Sequence, residues 1–83
     1  MYKKNKLSKT DLTQLMKKNS EVQQTVTWRK NNGKIRTMVC TVDKNDFMDN
    51  LGYIKAMSYG DHKRINPRSL MRVDLNGKTY VRK

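Results

Sequence analysis

Eighty-three residues make one small domain with room for only a thin core, since 35% of them are hydrophobic and 7% aromatic. Nineteen Lys and Arg face seven Asp and Glu, a formal net charge of +12 with a pI near 10.2. Solubility alone asks for a net charge of about 2–8, so the surplus points to a polyanionic partner. The single cysteine excludes an internal disulfide, and no secretory h-region or apolar run of spanning length occurs, so a cytoplasmic setting and no membrane partner are expected.

Residues 1–6 are a basic segment without apolar periodicity, expected to be a flexible tail, and 7–83 form the single domain. Ser8 opens a helix as its cap, with Asp11 placed to complete a capping box and Leu7 to staple onto Leu12. Leu12, Leu15 and Met16 share one face at helical spacing, and Lys17 and Lys18 suit the negative end of the helix dipole. The helix stops at Asn19-Ser20 and is expected to cover the open side of a sheet.

Thr25 to Val42 reads as a hairpin. Val26 and Trp28 alternate with Thr25, Thr27 and Arg29, and Met38, Cys40 and Val42 alternate with Thr37, Val39 and Thr41. Asn31-Asn32-Gly33 marks the turn, with Asn-Gly as the source of its positive φ angles. Trp28 is open between two roles, core and ligand face. Asp43 and Asp46 then predict a short helix after this second strand, with Phe47 and Leu51 packed inward and Gly52 as its end. The spacing of Asp43, Asp46 and Asp49 is not that of a calcium loop, so capping accounts for them better than a cation site.

Residues 53–64 carry no clean period. Tyr53 and Tyr59 are interleaved with Lys55, His62, Lys63 and Arg64, which fits a mobile or ligand-facing loop and equally an ordinary connection with two half-buried tyrosines. Pro67 biases Asn66 away from helix. A second hairpin follows, with Met71, Val73 and Leu75 alternating with Leu70, Arg72 and Asp74 before a tight turn at Asn76-Gly77. Two such hairpins predict a mainly β fold, a small barrel of antiparallel strands with an N-terminal α-helix and the short helix after the second strand. Oligomerisation would add burial to a thin core, and six Met could pack such an interface.

The stretches WRKNNGKIRTMVCTVD and INPRSLMRVDLNGKTYVRK resemble those of small bacteriophage proteins with an SH3-like β-barrel fold. In that pattern an aromatic and a basic pair precede a polar-Gly turn, and a basic strand with Met and Cys or Ala follows. The resemblance spans about residues 24–52 and 64–82. It implies an SH3-like barrel and a phage origin, hence an infected bacterial cell, and no settled activity.

Catalytic sets are hard to assemble. His62 is the only His, Glu21 the only Glu and Cys40 the only Cys, and the sequence assembles no Ser-His-Asp, Cys-His or paired-carboxylate set. A zinc site would need carboxylates or a second subunit, and no Gly-rich phosphate loop is present. Neither an enzyme nor a cofactor is expected. What remains is a basic face. Arg29, Lys30, Lys34 and Arg36 surround the first turn; Lys63, Arg64, Arg68 and Arg72 lie toward the second hairpin, with Tyr59 nearby. Arginine forks suit phosphate oxygens, and tyrosine or tryptophan rings stack on bases. The expectation is a protein that binds a phosphodiester ligand, either nucleic acid or a host nucleotide signal, and interferes with host function or defence. The alternative is an inhibitor that docks this cationic face on an acidic surface of a host enzyme.

Overall fold

Alternating apolar residues and three tight turns shape the chain. A computed structural model describes residues 5–83. The elements run β1 (Asn5–Leu7), α1 (Lys9–Lys18), β2 (Gln24–Arg29), β3 (Ile35–Cys40), β4 (Ile54–Ser58), β5 (Asp61–Ile65), a 3₁₀ turn (Pro67–Ser69), β6 (Leu70–Leu75) and β7 (Lys78–Arg82). Five strands form a sheet in the order β1-β7-β6-β2-β3, with β1 parallel to β7 and the other pairs antiparallel. A separate β4–β5 hairpin joins this sheet through a bridge between Thr41 and Met57, which exchange two backbone hydrogen bonds of 2.9 Å. The fold is mainly β with an N-terminal helix, as the patterning predicts. Among the described residues the strand ladders do not close into a ring.

One core lies between the sheet, the β4–β5 hairpin and α1. It joins Leu12 and Met16 of the helix to Val26, Trp28, Val42, Phe47, Ile54, Ala56, Ile65, Leu70, Val73 and Leu75. Ser8 caps the helix by accepting the Asp11 N–H at 3.1 Å. At its other end the buried Gln24 side chain donates to the Met16 and Asn19 carbonyls, at 3.2 Å each, so carbonyls at the helix end are satisfied by β2 itself.

The alternation expected of β6 is interrupted. Val26 faces Val73 and Thr27 faces Arg72, but Trp28 faces Leu70, so Met71 is the extra residue of a bulge. The bulge turns Leu70 into the core in place of Met71, which is half-buried. Met38 is likewise half-buried, because β3 extends past the core and only Cys40 of that strand is fully covered.

Four expectations are corrected. First, no helix follows β3: residues 43–52 form successive turns. Asp43 accepts the Asn45 N–H at 2.9 Å, and Asp49 accepts the Leu51 N–H at 2.8 Å and the Tyr53 N–H at 3.0 Å. Aspartate side chains offered the backbone a local alternative to the helix. Phe47 is buried as expected, but Leu51 is 73% exposed. Second, residues 53–64 are not a loop but hold β4, its turn and most of β5. Ile54, Ala56 and Ile65 supply the inward face, and Tyr59-Gly60 forms the turn with φ of 47° and 80°. Third, the Asn31-Asn32-Gly33 turn does not take positive φ at both residues of its Asn-Gly pair. Lys30 donates to the Lys34 carbonyl at 2.7 Å, the Gly33 N–H returns to the Lys30 carbonyl at 2.9 Å, and only Gly33 within the loop has positive φ. Fourth, Asn5 and Lys6, read as tail, belong to β1, where parallel pairing with Tyr80 and Val81 holds them. The rest of that tail lies outside the described residues. The second hairpin turns at Asn76-Gly77 with both φ positive, as its sequence predicts.

Candidate functional site

The β2–β3 ribbon and β5 meet at an open cleft of about 180 Å³. The pairing of Trp28 with Arg36, and of Arg29 with Ile35, sets the two arginines on opposite pleat faces of the ribbon. Both still line the cleft, together with Lys30 and Asn31 from the turn. Across it stand Lys63 and Arg64 of β5. Asn66 and Ser69 complete the wall on the 3₁₀ turn, which is stiffened by Pro67, by the Asn66 side chain accepting the Arg68 N–H at 3.0 Å, and by the Ser69 hydroxyl donating to the Asn66 carbonyl at 2.8 Å.

The cations differ in how they are held. Arg64 donates through Nε to Asp49 at 2.6 Å and lies 4.7 Å from the Tyr53 ring centroid, so its guanidinium is fixed in place by a carboxylate and a ring. Asp49 is itself anchored. The Tyr53 N–H, with the Leu51 N–H and Arg64, holds its carboxyl below its ordinary 3.8, against the opposing effect of burial. Lys63 has a loose pair with Asp61 at 3.7 Å. Arg29, Lys30 and Arg36 have no acidic partner among the described residues; Arg29 makes one long bond, 3.4 Å, to the Gly33 carbonyl. Three cations that repel one another without a counter-charge among the described residues therefore face one opening, beside the loosely paired Lys63 and the fixed Arg64. Guanidinium and ammonium groups are donors whose chemistry suits the oxygens of an anion.

Trp28 is 5% exposed, which places it in the core with only an edge at the cleft. Of the nine residues read as ligand-binding, Arg29, Lys30, Arg36, Lys63 and Arg64 are brought together. The other four are not. Lys34 closes the hairpin turn outside the cleft wall. Tyr59 lies at the far end of the β4–β5 hairpin, where it borders a different depression with Val39, Cys40 and Met57. Arg68 borders a third, with Lys9 and Leu51. Arg72 is on the solvent face of β6, paired with Asp74 through two bonds of 2.9 and 3.0 Å. The sequence reading missed Asn31, Asn66 and Ser69, and it gave Tyr53 no partner. The Asn-Pro-Arg-Ser run does carry a signal, since asparagine before proline is a turn-capping pattern.

Burial pushes the Cys40 thiol up to about 11, which suits a core residue and not a nucleophile. Among the described residues no three His, Cys, Asp or Glu are placed to hold a metal ion, and no helix is long and apolar enough to cross a membrane. No family model, curated protein or solved structure matches this chain.

Proposed function

We propose that this protein is a non-enzymatic binder of phosphodiester anions, and that the cleft between the β2–β3 turn and β5 is its binding site. The observation that carries this reading is the meeting of Arg29, Lys30 and Arg36, without acidic partners among the described residues, with Lys63 and the fixed Arg64. The formal charge of +12 supplies the long-range attraction that brings a polyanion to such a site. A binding role is supported by the chemistry of the wall, whose side chains are cations, amides, hydroxyls and rings that can hold an anion. The resemblance of both hairpins to phage barrel proteins supports a setting in the infected bacterial cytoplasm, where the bound anion is nucleic acid or a nucleotide signal of the host and its capture interferes with host function or defence.

The test is titration of the purified protein with short single-stranded and duplex oligonucleotides and with cyclic dinucleotides, at low and physiological salt. Saturable binding to at least one, weakening as salt rises, supports the reading. Binding to none of them would overturn it and leave the rival, an inhibitor seated on an acidic host protein.

A further inference from the structure

Resting on that reading, we infer that the anion is duplex DNA, with the tip of the β2–β3 ribbon in its major groove and one strand's phosphates in the cleft. Three observations lead there. The first is size. At about 180 Å³ the cleft is below the roughly 300–1,000 Å³ of pockets that enclose a small ligand. Partly open to solvent and this small, it suits a short stretch of a longer backbone better than a whole nucleotide.

The second is the state of the rings. Proteins that hold single strands without sequence preference stack bases on free aromatic faces beside their cations. Here Trp28 is buried, and Arg64 already covers Tyr53. Tyr59 is free, but it sits in the β4–β5 turn, at the opposite end of the hairpin from Ile65, and borders another depression. The cations are thus provided for phosphates, and no stacking platform accompanies them among the described residues.

The third is the shape of the ribbon. Strand β6 pairs with β2 only as far as Trp28, so beyond that point β2 and β3 have only each other. Every residue from 29 to 37 is exposed. A two-stranded ribbon with side chains fits the B-form major groove, roughly 12 Å wide, but not the deep, narrow major groove of duplex RNA. Its tip carries amides suited to base edges. The Asn32 side-chain Oδ1 accepts the Lys34 N–H at 3.0 Å, which leaves its exposed NH₂ as the group to donate, and Asn31 lines the cleft. With the tip in the groove, Arg36, Lys63 and Arg64 sit at the ribbon's base, where the flanking backbone passes.

The experiment measures anisotropy of labelled 20-base-pair duplex DNA, duplex RNA of the same sequence, the matching DNA single strand and a cyclic dinucleotide. It is followed by dimethyl sulfate footprinting, which reads guanine N7 in the major groove. Duplex DNA is expected to bind at least tenfold tighter than the others and to show N7 protection. Asn31→Glu, at an exposed loop position, should keep the parent's melting temperature and weaken duplex binding at least tenfold. Tighter binding of the single strand, RNA duplex or cyclic dinucleotide would overturn the inference while leaving a phosphodiester binder. Duplex binding without N7 protection, or unaffected by Asn31→Glu, would also overturn it. Binding of none of the four would overturn both.

Discussion

Tyr59 occupies a position its side chain does not favour. It sits at the first central position of the β4–β5 turn with φ of 47°, followed by Gly60 at 80°. Left-handed backbone is several-fold more accessible to asparagine than to an aromatic residue, a preference worth about 1 kcal/mol. Asn-Gly is also the favoured pair for this turn type. The ring is 98% exposed, so removing it forfeits almost no burial. Tyr59→Asn should therefore stabilise the fold by about 1 kcal/mol, which raises the melting temperature of a domain this size by roughly 4–8 °C. Thermal unfolding followed by circular dichroism measures this directly. A lower melting temperature would refute the reasoning, because it would require the ring to make a stabilising contact that this surface does not offer.

Three further predictions concern the core and the acid limit. Ile54→Ala, at a fully buried position, should cost about 2–5 kcal/mol, whereas Met38→Ala on the projecting half of β3 should cost less than about 2; denaturant melts that reverse this order would contradict the burial pattern. The Asp49 carboxyl is held below its ordinary 3.8, so the stability it contributes is present above about pH 3.8 and lost as pH falls through the lower, folded value. Parent protein should accordingly lose more melting temperature than Asp49→Asn across that acid range, and parallel curves would contradict this. Cys40, buried and shifted to about 11, should react with a thiol reagent at pH 8 only after denaturant is added; fast reaction of the folded protein would show that the thiol is reachable.

The parts of the fold that were legible in the sequence are those where local chemistry and tertiary packing agree. Ser8 before Leu12 and Met16 gives the helix, and Asn76-Gly77 gives its turn, because cap, period and turn residue all point one way. Residues 53–65 were opaque for two reasons. Ala56 is too small to register as an inward position, and Tyr59-Gly60 is not a familiar turn pair. The helix expected at 43–52 failed because aspartates that cap helices also cap isolated turns, and here nothing apolar beyond Phe47 anchored a helical face. The Met71 bulge had no local mark, since it depends on which residue Trp28 meets across the sheet. In the candidate site, the basic character of both clusters was plain from the sequence. Which members converge was not, because the alternation that separates Arg29 from Arg36 says nothing about β5 standing opposite.

The central claim is that the cations around the first turn hold the phosphates. It is tested most directly by the salt dependence of duplex DNA affinity for the parent and for Arg29→Glu combined with Arg36→Glu. Each phosphate contact contributes a slope of roughly 0.9 in log K against log salt, so losing two should flatten the slope by about 1.8 and weaken binding at low salt. A folded double variant with the parent's affinity and the parent's slope would contradict the claim and remove this cleft as the site.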